Sequence, residues 1–389
     1  MEMVSFKKQL NHRLAALREQ NLFRELRRVD SPQSPRIKIG GKTLLNFSSN
    51  DYLGLANDPI LKDAAIRAVE KFGAGSGASR LVCGSLAPFH ELEENLADFK
   101  NTEAALTFST GYAAAVGTIC ALLGKGDIIV IDKLVHASIV DAARLSGAKL
   151  RVFAHNDLND LGKILKWARR FSEAQILVVT ESIFSMDGDA APLREIVGLK
   201  NKHGAWLMLD EAHATGLYGK NRRGLAEELG VAGKIEIQMG TLGKALGASG
   251  GYICGSRALV DLIVNRARSF IFSTAPVPAA AAAATAAIQF VRSKSGATRC
   301  ALLWQRIKQF NSEFRIPNSE FQSAIIPILT GNETKAIEAA SRLYEQGIFI
   351  PAIRYPSVAR NAARLRVTLT AAHNPGDISK LIAALAGLK

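Results

Sequence analysis

Residues able to carry proton or covalent chemistry recur at the ends of apolar runs in this chain. Asp210 closes WLMLD and His213 follows three positions later; Ser185 comes after ILVVTESIF; Lys244 sits in GTLGKALGASGG, just past EIQM. The stretch WLMLDEAHATG, residues 206–216, has two incompatible readings. As Asp-Glu-Ala-His after a strand it has the form of the box with which a nucleic-acid helicase holds Mg²⁺ beside ATP. As an Asp and a His at a strand end, it could instead grip an organic cofactor.

A helicase box needs a phosphate loop, G-x-x-x-x-G-K-[ST], whose amides and Lys cradle the phosphates. Gly41-Lys42-Thr43 has Arg36 where the first Gly belongs, and Gly243-Lys244 is followed by Ala245, which has no hydroxyl for the metal. The helicase reading therefore fails. GAGSGASR, 73–80, follows a helical pattern and not a strand, so it is no dinucleotide fingerprint; a loop that admits close backbone approach fits it better. The cofactor reading survives. An Asp, a His, a Ser and a Lys at one sheet edge are what pyridoxal phosphate requires. A Lys amine condenses with the aldehyde and later carries a proton. A carboxylate, here Asp210, keeps the pyridine nitrogen protonated, and Gly243 and Gly247 leave room beside Lys244. Ser109-Thr110-Gly111-Tyr112 opens a helix whose amides suit a phosphate.

The elements that must position these residues are readable. AALTF, DIIVI, KLRVF, AQILVVT, AWLMLD, EIQMG and GGYICG alternate with helical stretches, which predicts βα units and a mostly parallel sheet. Strand ends then line the ligand crevice. Residues 4–28 have helical spacing (Leu10, Leu14, Leu17, Leu22, Leu26) and read as an arm packed on the body. After an Ala-rich stretch, a helix (300–314), SAIIPILT, a second helix, RLRVTLT and a terminal helix make a small α/β domain. The expected division is an arm, 1–45, a large domain, 46–285, and a small C-terminal domain, 286–389.

The chain of 389 residues carries a net charge of +14, which favours anionic partners such as nucleic acid, anionic lipid, or phosphorylated substrates and thioester carriers. Its four cysteines are scattered with no Cys-x-x-Cys pair, so neither a zinc site nor a disulfide framework is suggested. The N-terminal stretch has charges throughout and reads as neither signal nor anchor, so a soluble cytoplasmic protein is expected.

The sequence resembles the α-oxoamine synthases, which are fold-type I pyridoxal-phosphate enzymes, from about Arg24 to the C-terminus. The resemblance is carried by NFSSNDYLGL, GSGASRLVCGSLAPFHELE, FSTGYAAA, HASIVDAARLSGA, TESIFSMDGDAAPL, DEAHATG, GTLGKALGASGGY, FST and ARLRVTLTAAH. It implies an α/β fold with a large, mostly parallel seven-stranded sheet and a smaller C-terminal domain. It also implies that Lys244 binds the cofactor aldehyde and acts as acid and base, that Asp210 pairs with the ring nitrogen, and that His136 stacks on the ring. His213 and Ser185 would meet the ring oxygen. Gly111, Tyr112 and Thr241 would hold the phosphate, together with Thr274 of the partner subunit, in a homodimer. Arg354 would bind the amino-acid carboxylate near Asn50, and Arg24 the acyl donor. The implied reaction condenses L-alanine with a pimeloyl thioester, carried on CoA or on an acyl carrier protein, with loss of CO2, in biotin biosynthesis. The charge then attracts CoA phosphates or an acidic carrier, and neither nucleic acid nor membrane is needed. GTLGKALGASGG is also similar to the sibling branch that uses glycine and acetyl-CoA. Tyr355-Pro356-Ser357-Val358-Ala359 departs from the Pro-Pro-Thr-Val-Pro common after Arg354.

Overall fold

A computed structural model describes residues 5–314 and 321–388; residues 1–4 of the expected arm, and residue 4 at the start of the helical spacing, lie outside them. In chain order the strands are β1 (Arg36–Ile39), β2 (Lys42–Asn46), β3 (Ala104–Phe108), β4 (Ile128–Asp132), β5 (Lys149–Phe153), β6 (Ile176–Glu181), β7 (Trp206–Asp210), β8 (Ile237–Thr241), β9 (Gly251–Gly255), β10 (Ile325–Gly331), β11 (Ile348–Phe349), β12 (Ala352–Ile353) and β13 (Ala363–Thr368). They fall into two compact units. One holds Asn50–Ser185 and Asp189–Leu303; the other holds Met1–Ser49, Met186–Gly188 and Trp304–Lys389.

The larger unit is built on a seven-stranded sheet of order β3-β9-β8-β7-β6-β4-β5. Only β9 runs against its neighbours. All seven apolar runs expected to be strands are its strands. β3, β4, β6 and β9 are buried at every position, because helices cover both faces and no lane is left to alternate with solvent. The core joins the strand interior (Ile129, Ile131, Val179, Met208, Ile253) to the small faces of the helices Gly111–Leu122 and Ala137–Ser146. Ala114, Ala115, Ala142 and Ala143 let those two helices approach closely.

The smaller unit carries two three-stranded sheets, β1-β2-β11 and β10-β13-β12. Its boundaries differ from the expected ones. Residues 1–45 are not a separate arm, because β1 and β2 pair with each other and β2 pairs in parallel with β11. His373 Nε2 binds the Asn46 carbonyl at 2.9 Å, and Arg36 pairs with Asp377 at 2.6 Å. The helix expected over 300–314 begins at Lys294 and runs to Glu313, and the division falls within it, after Leu303. The first helix is also shorter than its leucine spacing suggests, Phe6–Glu19. Asn21 turns left-handed (φ 56°) and reverses the chain, so Leu22 is buried while Leu26 is fully exposed. No residue of this helix is buried, so its apolar stripe is not packed on the body.

Among the described residues no helix is long and apolar enough to cross a membrane.

Candidate active site

The carboxyl ends of β4, β6, β7 and β8, and the helix that follows β3, meet at one edge of the larger sheet. Ligands of open α/β sheets bind at such an edge. Lys244 Nζ lies 2.8 Å from His213 Nε2. On the other side of the ring, His213 Nδ1 is 2.5 Å from the Tyr52 hydroxyl, which donates to Asn50 Oδ1 at 3.3 Å. An ammonium at Lys244 donates to Nε2 and leaves the ring proton on Nδ1, facing Tyr52. Lysine, histidine, tyrosine and asparagine then form one directional chain.

Asp210 is buried at the end of β7, its Oδ1 accepting the Ala212 amide at 2.8 Å. Burial raises its pKa, against the charges of Lys244 and His136. Directly across the ladder stands Glu181, equally buried. Glu181 accepts the Ser185 amide at 3.1 Å, and its other oxygen is buried without a hydrogen-bond partner. Burial first, and the adjacent Asp210 second, push the Glu181 carboxyl up to about 8. Two carboxylates side by side out of water resist being charged together.

These residues fit pyridoxal phosphate. Thr110 caps the helix Gly111–Leu122, accepting the Ala113 amide at 3.0 Å, so the first amides of the helix point out of its end. Gly251, at the start of β9, underlies that end: a Cβ there would sit 2.6 Å from the nitrogen and Cα of Gly111. Beside it, Thr241 closes β8 with its hydroxyl bonded to the Gly250 carbonyl at 3.0 Å. An anion cradle with a buried carboxylate, an amine and an exposed imidazole around it is the donor set that a phosphorylated pyridine aldehyde needs. His136 supplies the imidazole from the cap of Ala137–Ser146, its Nδ1 accepting the Ser138 amide at 3.2 Å. Crowding by protein lowers its pKa; Asp210 opposes this and Lys244 adds to it.

Other expected members have different local roles. Tyr112 is half exposed and donates its hydroxyl to Asp141 at 2.6 Å, leaving its backbone as its contribution to the cradle. Gly247 does not make room for a cofactor: its φ is 61°, and a Cβ would meet the Ala56 nitrogen at 2.5 Å, so it makes room for the 55–56 backbone. Gly243 would tolerate a Cβ. Thr274 is exposed and bridges Ser79 on the glycine-rich loop.

Glu211 explains why DEAH is not a metal box here. Its carboxylate is fully buried, paired with Lys100 Nζ, and accepts the Ala226 amide at 2.9 Å. Gly224 (φ 138°) lies against it, and a Cβ there would overlap the carboxylate. Among the described residues no group of three His, Cys, Asp or Glu could hold a metal.

Residues 42–385 match the aminotransferase class I and II family. The chain belongs to that family. It is 47% identical to the 8-amino-7-oxononanoate synthase of Geotalea daltonii over 96% of this chain and 95% of the relative. It is also 47% identical to the Geobacter sulfurreducens protein of the same name, over 96% of each. Among solved structures it superposes on a serine palmitoyltransferase of Sphingomonas wittichii with a TM-score of 0.91 and 31% identity, covering 100% of this chain and 98% of that one. An 8-amino-7-oxononanoate synthase from Francisella tularensis gives a TM-score of 0.75 and 29% identity, covering 88% and 97%. The fold is therefore the expected fold-type I α/β transferase fold with its seven-stranded, mostly parallel sheet.

Ten of the expected site residues, Asn50, Gly111, Tyr112, His136, Ser185, Asp210, His213, Thr241, Lys244 and Thr274, fall in the larger unit. Arg24 and Arg354 fall in the smaller one. There Arg354 donates to the carbonyls of Asn21 and, at 3.3 Å, Phe23, while its buried Nε has no partner. Arg24 donates to the Tyr355 carbonyl at 2.6 Å. Two contributors were not singled out from sequence. Tyr52 lies inside NDYLGL, and Glu181 inside TESIF; both motifs were visible, but only the fold shows that they face His213 and Asp210.

Proposed function

We propose that this enzyme condenses L-alanine with a pimeloyl thioester, on CoA or on an acyl carrier protein, to give 8-amino-7-oxononanoate, CO2 and free thiol. Its cofactor is pyridoxal phosphate, in keeping with its family and with PLP-bound structural neighbours. The observation that carries the reading is Lys244 Nζ at 2.8 Å from His213, with Asp210 buried at the neighbouring strand end.

The bound cofactor supplies an electron sink for the carbanion at the amino-acid α-carbon. Lys244 would hold the aldehyde carbon and then carry the α-proton on Nζ, with His213 orienting the amine. Asp210 would hold the proton on the ring nitrogen, and His136 would cover the ring face. Ser185 and His213 would meet the ring oxygen. The amides of Gly111 and Tyr112, with Thr241, would bind the phosphate, joined by Thr274 of the partner subunit in a homodimer. Arg354 would take the substrate carboxylate, and Arg24 the acyl donor. The charge of +14 suits a donor bearing phosphates or an acidic carrier.

Free-thiol release tests the proposal, comparing pimeloyl-CoA plus L-alanine with acetyl-CoA plus glycine and with palmitoyl-CoA plus serine. Release that needs alanine and the pimeloyl donor is the expected result. Preference for glycine and acetyl-CoA would make the protein a 2-amino-3-oxobutyrate CoA ligase instead. Preference for serine would move it toward the palmitoyltransferases.

A further inference from the structure

His155, just past the edge strand β5, is not among the residues assigned to the cofactor, yet both its ring nitrogens are engaged by carboxylates. Nδ1 lies 3.0 Å from Asp132 Oδ1, and Nε2 lies 2.8 Å from Asp189 Oδ2. A neutral imidazole has one N–H, so one of these contacts would set a lone pair against a carboxylate oxygen. Only the cation donates to both. Burial would lower the pKa of this histidine, but the hydrogen bonds and charges of Asp132 and Asp189 outweigh it and raise the value to about 10.

The two carboxylates belong to different parts of the site. Asp132 ends β4, fully buried; its Oδ1 also accepts the Leu134 amide at 2.7 Å and its Oδ2 the Asn156 amide at 2.9 Å. It thereby shapes the turn that delivers His136. Asp189 lies on the return of the hairpin after β6, which is closed by the Phe184 amide on the Asp189 carbonyl at 2.9 Å and by an Ile183–Ala190 bridge. That hairpin carries Ser185, whose amide rests on Glu181. Asn156 reinforces the link, donating its side-chain amide to Asp189 at 3.0 Å and to the Ala190 carbonyl at 3.2 Å. The Phe184 ring packs edge-on against the imidazole at 4.4 Å.

We propose that His155, clamped between Asp132 and Asp189, is a positioning residue that fixes the His136 turn and the Ser185 hairpin relative to each other and so sets the affinity for the cofactor. The inference rests on the cofactor reading above. At metal sites, losing a partner that orients a ligating side chain typically costs about 10–100-fold in affinity, and a loss at the lower end of that scale is expected for this clamp.

The test is pyridoxal-phosphate binding to the apoprotein, followed by fluorescence quenching and by the visible circular dichroism of the bound cofactor. Wild type is compared with His155→Gln, His155→Arg and Asp189→Asn, the last retaining shape at a partly exposed site should the histidine variants fail to fold. Lys149→Ala, at the other end of β5, controls for general destabilisation. The expected result is a Kd about tenfold or more higher for His155→Gln and Asp189→Asn, with an altered dichroic band, partial recovery in His155→Arg, and no change in Lys149→Ala. Wild-type affinity and dichroism in both His155→Gln and Asp189→Asn would overturn the proposal, even if their melting temperatures fell. Imidazole ¹⁵N shifts at pH 8 give a second readout that needs no cofactor: a ring protonated on one nitrogen only would dismantle the clamp. Failure of wild type to bind pyridoxal phosphate would instead sink the cofactor reading, while the nitrogen shifts would still decide the clamp.

Discussion

Two lysines of the larger unit, Lys100 and Lys244, sit against opposite kinds of partner. Lys100 is 1% exposed, as is the Glu211 it pairs with, and also donates to the Arg223 carbonyl. Burial alone would lower its pKa, but the Glu211 charge overrides this and raises it, so the cation is permanent. Lys244 is half buried and meets an imidazole, His213, which can give or take a proton. A carboxylate partner freezes a charge for architecture; a histidine partner leaves an amine able to change its protonation state. The two sites are nearly contiguous in sequence, since Glu211 and His213 are two residues apart, so one loop serves both purposes.

The contrast can be broken at several points. Lys244→Ala has the largest expected effect: thiol release falls by about 10³-fold or more, as for loss of a principal acid and base, while the melting temperature stays within a few degrees of wild type. Retained turnover would remove Lys244 from the chemistry. Lys100→Met should do the reverse. It leaves the Glu211 carboxylate buried without its cation, a change that costs about 3–5 kcal/mol, read by denaturant unfolding. Lys100→Met/Glu211→Gln should regain part of that loss; a fully stable single variant would show that the pair is not structural. Tyr52→Phe removes one hydrogen bond from the far side of His213, worth about 0.5–1.5 kcal/mol. A drop of about 2–10-fold in kcat/KM is expected, and an unchanged pH–rate profile would exclude Tyr52 from the relay.

The smallest effect concerns two histidines of opposite sign. His373, stacked on Phe47 at 4.3 Å, is held neutral: Nε2–H donates to Asn46, Nδ1 accepts the Thr370 amide at 3.0 Å, and burial lowers its pKa to about 4. With the folded value below the unfolded one, its contribution is present above about 6.5 and is lost as pH falls through 4. His155 is raised, so its contribution is complete below about 6.5 and is lost as pH rises through 10. Stability differences between wild type and His373→Gln should therefore shrink on the acid side, and those between wild type and His155→Gln on the alkaline side. Equal slopes for the two variants would refute both assignments.

β3, β4, β6 and β9 were legible because burial at every position leaves a short run almost free of charge, whereas the edge strand β5, KLRVF, is only partly buried and was legible from its place in the alternation of strands and helices. β1 and β2 were not: RIKI and KTLLN each bury only part of their residues and stand among charged, Pro- and Ser-rich stretches. Leu22 kept helical spacing past a helix that had ended, since periodicity does not register the left-handed turn at Asn21. In the site, Lys244 and His213 were found as residue types at strand ends, and the structure does join them. What sequence could not supply was pairing at a distance. Glu211 looks like a metal ligand until Lys100, from a helix 111 positions earlier, is seen to occupy it. Glu181 gains its character from burial and from Asp210 across the ladder, and His155 from Asp132 and Asp189 on other segments.

β9 is the one strand of its sheet that runs backwards, so it offers its beginning, Gly251, at an edge where its neighbours offer their ends, Phe108 and Thr241. In evolutionary terms that lane is closed to drift. At position 251 even one methyl group would push the start of the Gly111 helix aside, so a side chain there would move the very amides proposed to hold the phosphate.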